Sequence, residues 1–285
     1  MAPPTDGLTA AADADLRAFL HTLADASAAA ILPFYRAPLD VASKGAGARF
    51  DPVTAADRAG EAAIRQLVER HYPEHGIIGE EFGTVRADSR FVWVIDPIDG
   101  TKAFISGQPT WGTLIALLDS GRPWLGLNNA PLLGERFWGD CAASHWRLRS
   151  GDERRLATRH TTALADATVW VSSSAAGDPL IRPTMDALAA RVRMLQFGAD
   201  CYTTAMVAAG YIDIVIGYGH FEIYDIAAHI PIIEGAGGLV TAPDGGDPLK
   251  ADAMIASGSA ALHAEALAVI AAARASAAVS RQPAS

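Results

Sequence analysis

Carboxylate residues cluster where two short apolar runs of the sequence end. Glu80-Glu81 follows Ile77-Ile78-Gly79, while Asp96 follows residues 91–95 and precedes Asp99 by three positions. Because α/β sheets place their sites at strand ends, we expect these carboxylates to converge. Converging carboxylates repel one another unless a cation lies among them. Oxygen ligands without His or Cys favour Mg²⁺ or Mn²⁺ over Zn²⁺, so the spacing predicts metal-assisted chemistry.

The residues that follow Asp96 are suited to the same site. Pro97 fixes φ, and it shapes a turn in which the carbonyl of Ile98 can point inward. Gly100-Thr101 then opens the next segment, and backbone N–H groups at such a turn or helix start can hold a phosphate. The Thr101 hydroxyl is suited to orient a water molecule. Far downstream, Asp225 at a predicted helix start is the carboxylate best placed to complete the cluster.

These motifs resemble those of the inositol monophosphatase superfamily. Its first motif is matched by residues 93–101, and its upstream Gly-Glu-Glu by Gly79-Glu80-Glu81. Residues 51–57 are similar to its Val-Thr-x-x-Asp segment, and residues 224–238 to its second motif. That second motif departs from the common pattern, with Tyr in place of Trp at 224 and Gly in place of Glu at 235. The resemblance extends over about residues 10–270.

The resemblance implies an α/β fold, an αβαβα sandwich with mixed sheets, and hydrolysis of phosphate esters. It implies two or three Mg²⁺ ions, with Mn²⁺ as a substitute, held by Glu80, Asp96, Asp99, Asp225 and the Ile98 carbonyl. Asp57 would hold an outer ion or its waters, or else only complement the dipole of its helix. Gly100 and Thr101 would contact phosphate, and Thr101 and Glu80 would help to activate the attacking water.

A finer similarity points to the histidinol-phosphate phosphatase branch of this superfamily. The matching segments are residues 104–107, 111–117, 134–136, 200–202, 224–225 and 231–235. The branch implies that Asp200 lies near the leaving alcohol, where Asp200 and Glu222 would suit a cationic group. Alternatively, Asp200 is a helix N-cap and Glu222 is solvated surface. One departure is Asn128-Asn129-Ala130-Pro131, where the branch has Asp-Gln-Pro; specificity would differ if this segment touched substrate.

The leading functional hypothesis is a Mg²⁺-dependent phosphomonoesterase that converts L-histidinol phosphate to L-histidinol and phosphate with a metal-activated water. The alternatives are an inositol-1-phosphate or sugar-phosphate phosphatase, and then a 3′-phosphoadenosine nucleotide phosphatase. The nucleotide is disfavoured because the short chain has no obvious room for a nucleotide-binding insertion. The competing class is a metal- or phosphate-binding protein without turnover.

Composition narrows the classes of partner. The chain has 285 residues, 23 basic and 32 acidic, and a formal charge of −9. Nucleic-acid binding requires a basic footprint, so it is disfavoured. No apolar run approaches the roughly 18 residues of a membrane span, and no secretory signal is apparent. Two distant cysteines favour a reduced, cytoplasmic protein. The family resemblance implies a homodimer.

The order of predicted elements indicates one layered domain over residues 1–285. Its halves would cover about residues 8–150 and 151–275, followed by a polar tail at 276–285. Helical spacing is found at residues 8–32 and 54–71, and strands dominate up to residue 148. Strands and helices then alternate, including a predicted helix over residues 225–234. The loop Lys44-Gly45-Ala46-Gly47 is either part of the metal site or a solvated connection.

Overall fold

A computed structural model describes residues 8–38, 42–43, 52–172, 181–198, 200–219 and 221–279. The helices are α1 (Ala10–Ile31), α2 (Ala55–His71), α3 (Thr101–Ile105), α4 (Arg182–Ala189), α5 (Cys201–Ala208), α6 (Ile223–Ile226), α7 (His229–Gly235) and α8 (Ala260–Val279). The strands are β1 (Ala42–Ser43), β2 (Pro52–Val53), β3 (Gly76–Gly79), β4 (Gly83–Val85), β5 (Phe91–Asp99), β6 (Gly112–Asp119), β7 (Arg122–Ala130), β8 (Glu135–Gly139), β9 (Ser144–Arg147), β10 (Glu153–Arg155), β11 (Thr168–Val171), β12 (Met194–Phe197), β13 (Ile214–Tyr218), β14 (Leu239–Thr241) and β15 (Ala253–Ser257).

The elements stack in five layers, which confirms the predicted αβαβα architecture. An eight-stranded sheet has the order β10-β9-β8-β7-β6-β5-β3-β4, and a five-stranded sheet has the order β12-β11-β13-β15-β14. Helices α1 and α2 contact one face of the larger sheet, and α5, α6 and α7 contact its other face. Helices α5 and α7 also contact the smaller sheet, which α4 and α8 contact as well. Both sheets are mixed, since β3–β5 and β11–β13 are parallel pairs among antiparallel ones.

The alternation of side chains along β5 determines the face of the large sheet on which Asp96 lies. Trp93 and Ile95 pack into the core formed with α1 and α2, whereas Val92 and Val94 pack on the opposite side, towards the middle helices. Side chains of a strand alternate between its two faces. Asp96 therefore shares the face of Val92 and Val94, the side on which α6 contacts β5.

The single helix predicted over residues 225–234 is wrong, because the chain forms α6 and α7 with a break between them. Pro231 explains the break. A continuous helix would need an N–H at Pro231 to reach the carbonyl of Ala227, and the proline ring would clash with that carbonyl. The helix predicted from residue 179 is described only from Arg182. Residues 44–47 and 51 lie outside the described residues.

Among the residues described, no helix has the length and apolar character of a membrane span.

Asp213 joins the two central parallel strands of the smaller sheet. Its buried carboxylate accepts hydrogen bonds from Arg159 Nε (2.8 Å) and from the N–H of Thr168 (2.7 Å), where β11 begins. Burial alone would raise the pKa of Asp213, but the hydrogen bonds from Arg159, Thr161 and Thr168 outweigh it and lower the pKa. The folded protein therefore stabilises the ionised form of this group.

Asp213→Asn is expected to destabilise the fold by about 1–3 kcal/mol at pH 7, because the charge-assisted bonds are lost. A lowered folded-state pKa contributes stability above the unfolded pKa that is lost as pH falls. The difference in the free energy of unfolding between Asp213→Asn and the wild type should therefore become smaller below about pH 4. Urea unfolding at pH 7 and pH 3.5 measures both effects. Asp186→Asn, in an exposed ion pair with Arg182, is the control and should change little. A difference in the free energy of unfolding that became larger at pH 3.5 would contradict the lowered pKa of Asp213.

Candidate active site

Three carboxylates meet at the end of β5. Oxygen atoms of Asp96, Asp99 and Asp225 all lie within 4.8 Å of one another. Asp96 and Asp99 are an odd number of residues apart, so a regular strand would point them to opposite faces. The ladder between β5 and β6 pairs Asp96 with Leu114 and Asp99 with Gly112, so β5 carries one extra residue there. This bulge turns Asp99 to the same face as Asp96.

Asp225 reaches the cluster from the middle layer. It lies in the first turn of α6, and its Oδ2 accepts the N–H of Glu222 at 2.7 Å. That bond fixes the carboxylate at the start of the helix. Tyr224, the departure from the family's second motif, packs against the core between β5 and the middle helices.

Glu80 and Asp57 lie beside the cluster of Asp96, Asp99 and Asp225 but do not belong to it. The N–H of Glu80 donates to the carbonyl of Ile95 at 3.2 Å, and the charge of Glu80 raises the pKa of Asp96. Asp57 is buried, and its Oδ2 accepts the N–H (2.8 Å) and the hydroxyl (2.6 Å) of Thr54. Asp57 therefore belongs to the capping box of α2. Its pKa is raised by burial and further by the charge of Glu80, so it also lies near the cluster.

The carboxylates are held in a setting that opposes their ionisation. Burial raises the pKa of Asp96 well above its usual value, and the charges of Glu80, Asp99 and Asp225 add to the effect. Burial and the charge of Asp200 raise the pKa of Asp99 to about 7. Burial and the charge of Asp99 likewise raise the pKa of Asp225 well above its usual value. A bound cation would reverse this balance, because it stabilises every ionised carboxylate around it.

The donor set fits a hard divalent cation. Asp96 Oδ1 is buried and accepts no hydrogen bond from the described residues, so it is an orphaned acceptor. Buried oxygen atoms of this kind are rare unless an ion or water satisfies them. The grouped ligands are all carboxylates, the preference of Mg²⁺ and Mn²⁺.

Gly100 and Thr101 form the turn directly after the cluster. Gly100 has φ of +85°, a left-handed conformation that favours glycine, and precedes α3. A Cβ at this position would lie 3.3 Å from the Cα of Trp111, which is buried beneath the turn. The Thr101 hydroxyl donates to the carbonyl of Ile98 at 3.0 Å. Its proton is thereby engaged, which leaves the hydroxyl oxygen to accept a further hydrogen bond.

Asp200 and Glu222 differ in their surroundings. Asp200 is the N-cap of α5, and its Oδ1 accepts the backbone N–H of Thr203 at 3.4 Å, so the N-cap interpretation is confirmed. Its charge also raises the pKa of Asp99, which indicates that it lies next to the cluster. Glu222 is exposed at the start of α6. Contact of either side chain with substrate stays a prediction.

Asn128-Asn129 lies within β7 and is buried. Asn128 Nδ2 donates to the carbonyl of Cys201 at 2.8 Å, and Asn129 Oδ1 accepts from Arg136 Nε at 2.8 Å. The N–H of Cys201 in turn donates to Asp99 Oδ2 at 2.5 Å. Asn128 is thus connected to the cluster through Cys201. Sequence reasoning missed this link, because a backbone N–H has no residue signature.

The comparisons with known proteins agree with this geometry. The model of the inositol monophosphatase family matches residues 13–277. The chain is 38% identical over 223 residues to a chloroplastic bifunctional phosphatase of Arabidopsis thaliana, covering 78% of this chain and 62% of that protein. It therefore spans less than two thirds of the length of the plant protein. A histidinol-phosphatase of Mycobacterium tuberculosis is 36% identical over 196 residues, covering 68% of this chain and 75% of the relative.

The fold comparison gives the same result. The structure of an inositol monophosphatase from Zymomonas mobilis is similar with a TM-score of 0.79 and 36% identity, covering 92% of this chain and 100% of that one. The family match extends over nearly the whole chain and includes all three grouped carboxylates. On these grounds the chain belongs to the inositol monophosphatase family.

Proposed function

We propose that this chain is a Mg²⁺-dependent phosphomonoesterase that hydrolyses L-histidinol phosphate to L-histidinol and phosphate. The observation that carries the proposal is the meeting of Asp96, Asp99 and Asp225 within 4.8 Å. Asp200 beside this cluster supplies a negative charge for a cationic alcohol. The similarity to a histidinol-phosphatase supports the choice of substrate.

The proposed metal site would hold two or three Mg²⁺ ions, which Mn²⁺ can replace. Its ligands would be Glu80, Asp96, Asp99, Asp225 and the carbonyl of Ile98, with Asp57 behind them. Bound ions of this type neutralise phosphate oxygens, lower the pKa of water and stabilise a leaving alkoxide.

The other residues of the site would orient the reactants. Backbone N–H groups at Gly100 and Thr101 would hold the phosphate. Because the Thr101 hydroxyl donates to Ile98, its oxygen can accept a hydrogen bond from the attacking water and orient that water. Glu80 would accept the proton that this water loses. Water then displaces the alcohol from phosphorus without a covalent enzyme intermediate.

Asp200→Asn is expected to raise KM for histidinol phosphate about 10-fold or more, the effect of losing a hydrogen bond to a charged group. Glu222→Gln should have a smaller effect, because Glu222 is exposed. Inositol-1-phosphate, which has no amine, is the internal control on the same variant. Removing the charge of Asp200 also changes the electric field at Asp99, which would affect both substrates. An equal rise in KM for both substrates would therefore contradict a contact between Asp200 and the leaving group.

The alternative substrate is inositol-1-phosphate or a sugar phosphate. It is supported by the fold of the Zymomonas mobilis inositol monophosphatase, which covers nearly the whole chain. The metal chemistry would be unchanged, and only the contacts to the leaving alcohol would differ.

Phosphate release from a panel of esters, with and without Mg²⁺, tests the proposal. The panel contains histidinol phosphate, inositol-1-phosphate, fructose-1,6-bisphosphate and 3′-phosphoadenosine-5′-phosphate. Preference for histidinol phosphate in kcat/KM is the expected result. Preference for another ester would keep the metal chemistry and reject the substrate. No turnover with Mg²⁺ or Mn²⁺ would favour a binding protein.

We also propose a cytoplasmic homodimer. Both cysteines are free thiols, as expected in a reducing compartment. Light scattering that showed only a monomer would contradict the dimer.

A further inference from the structure

A buried carboxylate on α2 supports the turn that carries Glu80. Glu61 is fully buried. Its Oε2 accepts the N–H of Glu81 at 2.6 Å, and its Oε1 accepts the N–H of Phe82 at 3.2 Å. The carboxylate therefore holds the two backbone amides that directly follow Glu80.

The same carboxylate also contacts the residue before Glu80. A Cβ placed on Gly79 would lie 2.0 Å from Glu61 Oε1, so only glycine leaves room for the carboxylate here. The Glu61 side chain thus contacts the backbone on both sides of Glu80. On the strand side, the N–H of Glu80 is bound to the carbonyl of Ile95. These contacts leave the Glu80 backbone little freedom to shift relative to β5.

Arg65 holds the Glu61 carboxylate in place. Its Nε donates to Glu61 Oε1 at 2.7 Å, one helical turn along α2. It also donates to the carbonyl of Gly83, at the far end of the turn. Both oxygens of Glu61 are therefore used by protein donors. Glu61 is distinguished in this way from Asp96, whose Oδ1 accepts no hydrogen bond in the described part of the chain.

We propose that Glu61, held by Arg65, is a positioning residue that aims Glu80 at the carboxylate cluster and so sets the affinity of the site for a divalent cation. The inference rests on the proposed metal-dependent function. Residues that orient metal ligands typically change metal affinity or activity 10–100-fold when they are replaced.

The test is direct binding of Mn²⁺, measured from the electron paramagnetic resonance signal of the free ion, with no substrate present. Glu61→Gln keeps the size of the side chain but removes its charge and one acceptor oxygen. We expect its Kd for Mn²⁺ to rise about 10–100-fold. The matched control is Glu69→Gln on the same helix, where Glu69 forms an exposed pair with Arg86. Its Kd should equal that of the wild type.

Circular dichroism and Tm separate positioning from folding. A Glu61→Gln protein with a lower Tm and an unchanged Kd would overturn the inference, since the carboxylate would then only stabilise the fold. If Glu61→Gln does not fold, Glu61→Asp replaces it, because it keeps the charge for Arg65 and withdraws the carboxylate from the amides. Wild-type affinity in folded Glu61→Asp would also overturn the inference. Absence of Mn²⁺ binding by the wild type would instead reject the metal-dependent function, and the inference with it.

Discussion

Replacing Asp99 by asparagine is expected to remove phosphatase turnover and leave the fold intact. Asp99 belongs to the group of three carboxylates, and burial and the charge of Asp200 raise its pKa to about 7. Asparagine removes a charged ligand for the cation, so we expect kcat to fall at least about 100-fold, as when one electrostatic group of a catalytic site is lost. The fold should survive, because removing one of several repelling charges relieves the cluster.

Steady-state phosphate release at saturating substrate and Mg²⁺ measures this loss, and circular dichroism checks the fold. Asp88→Asn is a suitable control, because Asp88 is exposed in the segment before β5. Its kcat should equal that of the wild type. Full Mg²⁺-dependent turnover by Asp99→Asn would show that the site is assigned to the wrong residues.

Adding Mg²⁺ to metal-free protein is expected to raise Tm, and the gain should be much smaller in Asp99→Asn. A ligand that binds only the folded state stabilises it by about 2.7 kcal/mol at a concentration of 100 times Kd. In the wild type the ion would also relieve the mutual repulsion of Asp96, Asp99 and Asp225. Thermal unfolding with and without Mg²⁺, with Ca²⁺ as a larger ion for comparison, measures the gain. A Tm that did not respond to Mg²⁺ or Mn²⁺ would contradict a metal site.

The Mg²⁺-induced gain should also depend on pH. The pKa of Asp99 is about 7 in the folded protein, above its value of about 3.9 in an unfolded chain. Between these values the folded state binds more protons than the unfolded state, so without metal the stability falls as pH rises from about 4 to 7. Mg²⁺ must displace these protons. The gain in Tm at one Mg²⁺ concentration should therefore be larger at pH 8 than at pH 5.5. A larger gain at pH 5.5 would contradict the raised pKa of Asp99.

Local sequence patterns are sufficient to predict most of the helices and strands, and short motifs are sufficient to identify the family. The runs at residues 77–79 and 91–95 were predicted as strands, and β3 and β5 contain them. The helical spacing of residues 8–32 and 54–71 corresponds to α1 and α2. Hydrophobic periodicity encodes these elements within a few residues, so no distant contact is needed to read them. One exception is the break between α6 and α7, where the apolar pattern continues through Pro231 and conceals the break.

The sequence by itself determined the family, the layered fold and the carboxylates that are candidates for the site, because these follow from local patterns and from short motifs. Only the tertiary structure decided which side chains meet. The bulge in β5 brings Asp99 to the face of Asp96, and the packing of α6 brings Asp225 across from a distant part of the chain. Glu61 was not predicted at all, because its role depends on the backbone amides of a turn that only folding places beside α2.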